Sequence, residues 1–149
     1  MRLEQEIHQK HFDNQYHKAV VNVVFTYNWL MERQIEIIKP FGITLQQFNV
    51  LRILRGRYPE PATIKLIKER LIDKMSDASR IVEKLRIKGM AKRNICQDDR
   101  RNVDVCITDK GLNLLSKIDL VMPEIFDIMK NLNNTEIIML NNLLDKLRE

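Results

Sequence analysis

The chain has 149 residues, of which 44% are hydrophobic and 30% are charged, as is ordinary for a globular protein with one sizeable core. No apolar run is long enough to cross a bilayer, and the N-terminus lacks the apolar segment of a signal peptide, so we expect a cytoplasmic protein. The net charge of +5 is uneven: Leu51–Lys110 holds 16 Lys and Arg against 9 Asp and Glu, and the remainder holds 9 against 11. A basic segment of this kind is typical of a module that meets a polyphosphate, and a solvated basic surface is the alternative.

The first predicted element is a long helix over about Asn14–Lys39, whose apolar residues form two adjacent stripes. A helix with so broad an apolar surface must be covered on more than one side. Pro40 and Gly42 end it, because proline removes a backbone donor and glycine favours turns. Thr44 and Gln47 then match the capping-box pattern that opens a second helix.

Two short helices joined by a tight turn follow, and they predict a helix-turn-helix. Thr63 caps the first of them, over Ile64–Leu71. The second has Asp73 as its predicted cap, Ser76 as the competing cap, and Gly89 as its stop. Its solvent face carries short hydrogen-bonding side chains and then cations: Ser76, Asp77, Ser79, Arg80 and Lys84.

A β-hairpin is predicted beyond that helix, with strands over Ala91–Ile95 and Val103–Ile107 and a charged loop between them. A basic helix beside a basic hairpin fits the two grooves of DNA, with the helix in the major groove and the hairpin tip in the minor groove. The sequence therefore predicts a winged helix-turn-helix.

Both cysteines, Cys96 and Cys106, fall in this hairpin. If the turn centres near Asp99–Arg100, Cys96 lies opposite Val103 and Cys106 lies opposite Arg93, so the thiols neither pair nor share a face. An intramolecular disulfide is therefore not expected. A redox switch is the alternative to thiols that are buried or incidental in a reducing compartment.

The C-terminal part is predicted to be helical. Thr108 can cap a long helix over about Asp109–Asn131, which Pro123 should bend. A second capping pattern, Asn133-x-x-Glu136, precedes a last helix over about Thr135–Leu147.

The first helix and the last two hold more apolar surface than a lone winged helix needs, which indicates burial between two copies of the chain. Two-fold symmetry would then present two recognition helices to an inverted-repeat operator. We therefore predict a mainly α fold with a small β-hairpin wing, in a single domain over 1–149. The DNA-binding lobe would span 44–108, and helical dimerisation arms would span 1–39 and 109–149.

Three segments form a recognisable set: Ile43–Leu51, Ser79–Met90, and Asp99–Gly111, in which Asp-Arg-Arg precedes Thr-x-x-Gly. They resemble the second helix, the recognition helix and the wing of the MarR-type (multiple antibiotic resistance) transcriptional regulators. The order of elements agrees with that family from about Asp13 to Leu147. The resemblance implies a bacterial DNA-binding regulator that acts as a homodimer, and members of the family are habitually repressors.

By this resemblance, Arg101 would enter the minor groove at the wing tip, and Asp99 would orient it through a charge-assisted hydrogen bond. Lys84, Lys88 and Arg100 would serve mainly the DNA backbone. Asp77 would either accept from a cytosine amino group or tether Arg80, and the sequence leaves both alternatives open. The full predicted DNA-binding set is Lys74, Ser76, Asp77, Ser79, Arg80, Lys84, Lys88, Asp99, Arg100 and Arg101.

Members of this family commonly bind a small effector between the dimer arms and the DNA-binding lobe. An aromatic or phenolic effector would suit a pocket lined by four aromatic residues, namely Phe25, Trp29, Phe41 and Phe48. These residues also stand at helical spacings typical of an ordinary core, which is the alternative.

Two further sensing mechanisms of the family fit this chain less well. One branch senses hydroperoxides through a cysteine in the first helix, where this chain has none. Another branch binds zinc through histidines and carboxylates. His8, His11 and His17 lie near the N-terminus, and we expect surface histidines rather than a metal site.

Enzymatic activity is not expected, because the chain has no Gly-rich phosphate loop, no nucleophile motif and no paired His/Cys ligand spacing. No cofactor is expected either. The rival to DNA binding is a winged helix that works as a protein-interaction module, whose basic face would meet an acidic partner. Salt dependence on DNA would separate the two functions.

Overall fold

The computed structural model of this chain describes residues 2–95 and 103–149, and within them the fold is mainly helical with one small antiparallel sheet. None of the described helices is both long and apolar enough to cross a bilayer. The helices are α1 (Leu3–Glu6), α2 (Gln15–Ile38), α3 (Leu45–Arg55), α4 (Ile64–Arg70), α5 (Ala78–Ile87), α6 (Asp109–Asp119), α7 (Met122–Asp127) and α8 (Asn134–Leu147). The strands are β1 (Ala62–Thr63), β2 (Ala91–Ile95) and β3 (Val103–Ile107), and a 3-10 turn over Lys39–Phe41 joins α2 to α3.

The predicted winged helix-turn-helix is confirmed, with α4 and α5 as the helix pair and β2 and β3 as the strands of the wing. Side-chain caps start four of the helices, α3, α4, α6 and α8, where the sequence predicts them. Thr44 and Gln47 form the capping box of α3, in which the side chain of each residue accepts from the backbone N–H of the other residue at 3.2 Å. Thr63, Thr108 and Asn133 cap α4, α6 and α8 through their side-chain oxygens.

The sheet has the strand order β1-β3-β2 and a register one residue away from the predicted one. Cys106 lies opposite Lys92, and Val105 lies opposite Arg93, so the predicted Cys106–Arg93 pairing is wrong. The physical reason is burial, because the observed register places Ala91 opposite Ile107 and both of these side chains are buried. Strand β1 was not predicted, since two residues are too few to show an alternating pattern.

The predicted helix over about Asp109–Asn131 is instead two helices, α6 and α7, interrupted at Leu120 and Val121. Pro123 lies in the first turn of α7. Proline has no N–H to donate to the preceding turn, so it suits a helix start and does not continue α6. The expected bend at Pro123 is therefore a break.

The core lies where α3, α4, α5, α6 and the sheet meet. Helix α3 buries six of its 11 residues, whereas the 24-residue α2 buries only Ile38 at its C-terminal end. No residue of α8 is buried. Large apolar side chains therefore remain exposed along α2 and α8, including Tyr16, Val20, Val24, Tyr27, Ile138, Met139, Leu143 and Leu147.

Candidate nucleic-acid interface

Helix α5, the predicted recognition helix, separates an apolar face from a polar one. Ala78, Val82 and Leu85 are buried against the core. Ser79, Arg80 and Lys84 are exposed on the opposite side. The helix is thus anchored by one face and presents hydroxyl, guanidinium and ammonium groups on the other, which are the donors that DNA phosphates and base edges accept from.

The cap of α5 is Asp77, so both caps considered from the sequence, Asp73 and Ser76, are wrong. Asp77 Oδ1 accepts from the backbone N–H of Arg80 at 3.1 Å. Asp73 is already engaged in the preceding turn, where it accepts from the Met75 N–H at 3.0 Å and from the Ser76 hydroxyl at 2.6 Å. The Ser76 hydrogen bond and then the Met75 N–H hold the pKa of Asp73 below its usual range. Asp77 thus contacts the backbone of Arg80.

A carboxylate at the middle of α5 connects the recognition helix to the wing. Glu83 accepts from Arg86 Nε and Nη2, at 3.0 and 2.8 Å, and from Nη1 of Arg93 on β2 at 3.4 Å. The hydrogen bond from Arg86 is the main cause that lowers the pKa of Glu83, and the Arg93 contact adds to it. The sequence did not predict this pair. It depends on the observed strand register, which places Arg93 on the face of β2 that packs on α5.

Two cations of the predicted DNA-binding set are turned toward the protein. Lys74 Nζ donates to the carbonyl of Glu69 at 2.6 Å, near the end of α4. Lys88 Nζ donates to the carbonyl of Gly42 at 2.6 Å and to Gln47 Oε1 at 3.1 Å. Both lysines therefore make contacts within the protein that sequence spacing did not indicate.

Four members of the predicted set line one open cleft of about 390 Å³ between the start of α3 and the outer face of α5. They are Ser76, Asp77, Arg80 and Lys84. Ser79 is exposed on α5 but does not line this cleft, and the three wing members, Asp99, Arg100 and Arg101, lie outside the described residues, as does Cys96. The described strands end beside that gap at the pair Ile95 and Val103.

The four predicted effector-pocket residues do not come together in one site. Phe25 and Trp29 line a cleft of about 270 Å³ between α1 and α2. Phe41 lines a different cleft between the end of α2 and α7. Phe48 is a core residue, only 4% exposed, which agrees with the alternative that these aromatic residues belong to an ordinary core.

The histidines lie near the N-terminus, and the described cysteine lies on strand β3 of the wing. His17 Nδ1 lies 3.1 Å from Asp13 Oδ2, and Cys106 is a half-buried free thiol on β3. Within residues 2–95 and 103–149, no three His, Cys, Asp or Glu side chains are grouped so that they could hold a metal ion.

No family model matches this sequence. Solved structures do resemble it over most of its length. The MarR transcription factor from Planctomyces limnophilus is 28% identical, with a TM-score of 0.69, over 91% of this chain and 98% of its own. A mutant MarR from E. coli in complex with operator DNA is 26% identical, with a TM-score of 0.73, over 99% of both chains. The organohalide-sensing regulator RdhR-CbdbA1625, in its 2,4-dichlorophenol-bound form, is 16% identical, with a TM-score of 0.81, over 94% of this chain and 85% of its own.

Proposed function

We propose that this chain, a MarR-type winged-helix regulator, binds double-stranded DNA sequence-specifically and controls transcription. The observation that carries the proposal is the exposed polar face of α5 beside the hairpin β2–β3, connected to it by Glu83 and Arg93. A helix and a hairpin joined in this way can enter adjacent grooves as one unit. The E. coli relative bound to operator DNA supports the same use of this fold.

The proposed contacts follow from the position of each side chain. Ser79 and Arg80 are exposed on the outer face of α5, and we assign them to base edges or nearby phosphates. Lys84 is exposed one turn later and would contact the backbone. For the wing, the proposal rests on the sequence resemblance, with Arg101 in the minor groove, Asp99 orienting it and Arg100 on a phosphate.

We further propose that the protein acts as a homodimer on an inverted-repeat operator. The DNA-binding lobe would be 44–108, and the dimer arms would be 1–39 and 109–149 within the single domain 1–149. The apolar side chains left exposed on α2 and α8 support this division, because surfaces of that kind are usually covered by a partner. Repression is the proposed outcome, since a bound dimer on an operator obstructs other proteins.

A small aromatic or phenolic effector is part of the proposal. The cleft of Phe25 and Trp29 offers two aromatic faces, with Asn22 and Thr26 as polar neighbours. That composition suits a ring with one hydroxyl or carboxyl group. The dichlorophenol-bound regulator has the same fold, and its ligand is of that class.

The proposal is tested by selecting bound duplexes from a random DNA pool and then measuring affinity against salt. A protein that makes about six phosphate contacts loses roughly 10³-fold in affinity between about 50 and 200 mM salt. We expect a loss of that order together with a preference for the selected sequence. Binding without sequence preference, or without salt dependence, would instead favour a winged helix that recognises an acidic protein.

A further inference from the structure

The side chain of Lys88, at the C-terminal cap of α5, is directed into the protein. Its ammonium donates to the Gly42 carbonyl at 2.6 Å and to Gln47 Oε1 at 3.1 Å. These acceptors lie 46 and 41 residues earlier in the chain. Gly42 belongs to the junction between α2 and α3, so this one contact joins the recognition helix to the base of the long N-terminal arm.

Both acceptors are held by the local structure. Gly42 has a φ of +70°, and its own N–H donates to the Lys39 carbonyl at 3.0 Å, which closes the turn after α2. Gln47 is 3% exposed, and its Oε1 also accepts from the Thr44 N–H in the capping box of α3. Lys88 therefore makes charge-assisted hydrogen bonds to two acceptors that are themselves held by the turn after α2 and by the capping box of α3.

The backbone beside Lys88 is held from the opposite side by the start of α6. Lys110 Nζ donates to the Lys88 carbonyl at 2.8 Å, and the Thr108 hydroxyl donates to the Gly89 carbonyl at 2.7 Å. The C-terminal end of α5 is therefore attached to the α2–α3 junction by the Lys88 side chain. It is attached to the start of α6 by the carbonyls of Lys88 and Gly89. Two of the three N–H donors of the Lys88 ammonium are thus engaged within the protein, and a reach toward a DNA phosphate would weaken these charge-assisted hydrogen bonds.

We propose that Lys88 is a positioning residue for DNA recognition: it sets the direction of α5 relative to α2 and does not bind phosphate. This inference rests on the proposed function. In a dimer joined through the arms, the orientation of α5 on α2 determines how far apart the two recognition helices lie, and inverted-repeat sites demand a fixed separation. Loss of the Lys88 contact should thus impair the fit to the operator while leaving general attraction to DNA intact.

The test compares Lys88→Met with Lys84→Met, because Lys84 is one turn earlier on the same helix and exposed. Affinity is measured against salt for a duplex selected by the wild-type protein and for a scrambled duplex of equal length. For Lys88→Met we expect a loss of roughly tenfold on the selected duplex, no loss on the scrambled one and an unchanged salt slope. For Lys84→Met we expect both duplexes to lose affinity, with a slope smaller by about one unit.

A slope reduced by about one unit in Lys88→Met, with equal losses on both duplexes, would make Lys88 a phosphate contact and overturn the inference. Unchanged affinity for the selected duplex would overturn it as well. Lys88→Gln, which removes the charge and keeps a donor, provides the same slope measurement if Lys88→Met does not fold. A wild-type protein that shows no sequence-preferring, salt-dependent binding would refute the proposed function itself, before any variant is compared.

Discussion

The guanidinium of Arg55 donates to both carboxylate oxygens of Asp119, from Nη1 at 2.6 Å and from Nη2 at 3.2 Å. Arg55 is the last residue of α3 and Asp119 is the last residue of α6, so the pair joins two helix ends 64 residues apart. Bidentate geometry of this kind is more directional than a single contact. It connects the C-terminal ends of α3 and α6.

We expect Arg55→Ala and Asp119→Ala to destabilise the protein modestly and to be coupled to each other. Both side chains are partly exposed, at 34% and 47%, so solvent screens the pair. The coupling energy from a double-mutant cycle in urea unfolding should be roughly 0.5–1 kcal/mol. Arg57→Ala is the control, since Arg57 is exposed nearby; an equal coupling of Arg57 to Asp119 would contradict the specific pair.

Gly111→Ala should be strongly destabilising. A Cβ at this position would lie 2.5 Å from the Met90 carbonyl oxygen and 2.7 Å from Cγ1 of Ile107, so α6 would have to move away from the sheet. The expected cost, read from thermal or urea unfolding, is about 1–3 kcal/mol. Gly56→Ala is the matched control, because its nearest atoms are at 3.5 and 3.6 Å; a comparable loss in both variants would show that the close approach is not the cause.

Asp77→Ala should remove the cap of α5 and reduce stability by about 1 kcal/mol. Asp77→Asn should restore most of that loss, because an amide oxygen can still accept from the Arg80 N–H. Unfolding of the two variants beside the wild type provides the measurement. An Asp77→Ala protein as stable as the wild type would refute the capping role and leave a direct contact with DNA as the explanation for this carboxylate.

The titration of Glu83 should report the contact between helix and wing. Its pKa is lowered because Arg86 and Arg93 donate to the carboxylate, so the stabilisation is complete above the usual carboxyl pKa and is lost as the pH falls through the lowered value. Arg86→Ala should raise the pKa of Glu83 more than Arg93→Ala does. Carboxyl chemical shifts followed by NMR test this order, and the reverse order would mean that the wing contact dominates.

We expect truncation after Asn131 to convert the proposed homodimer into a monomer. The cut removes α8, whose exposed Leu143 and Leu147 contribute nothing to the described core. Sedimentation equilibrium provides the mass, and unfolding shows whether the remaining lobe keeps its cooperative transition. A truncated chain that sediments as an intact dimer would contradict a role for α8 in the interface.

Local chemistry made most of the lobe predictable. Thr44 and Gln47 predict a helix start because their side chains can cap it with two reciprocal hydrogen bonds, and the structure contains both. The strands at Ala91–Ile95 and Val103–Ile107 also have the predicted bounds. The cap of α5 was mispredicted because Asp73 and Asp77 are chemically equal candidates, and only the hydrogen bonds of the turn distinguish them.

Tertiary contacts limited the prediction of the candidate site. Lys88 looks like any exposed helix-end cation until the fold brings Gly42 within reach of its ammonium. The partnership of Glu83 with Arg93 likewise depends on a strand register that burial of Ala91 and Ile107 determines. Distances between residues remote in sequence are set by packing, so the spacing of residues along the chain does not predict them.

Ile38, at the C-terminal end of α2, is the one buried residue of that helix, so it is the fulcrum about which the exposed and half-buried remainder of α2 would tilt. A helix of 24 residues is about 36 Å long, so a tilt of about 5° at the fulcrum displaces the far tip by roughly 3 Å. Small rearrangements beside Ile38 would therefore displace the N-terminal tip of α2 by several ångströms. Substitutions near the fulcrum should therefore alter the geometry of any assembly built on the tip far more than substitutions of equal size at Tyr16.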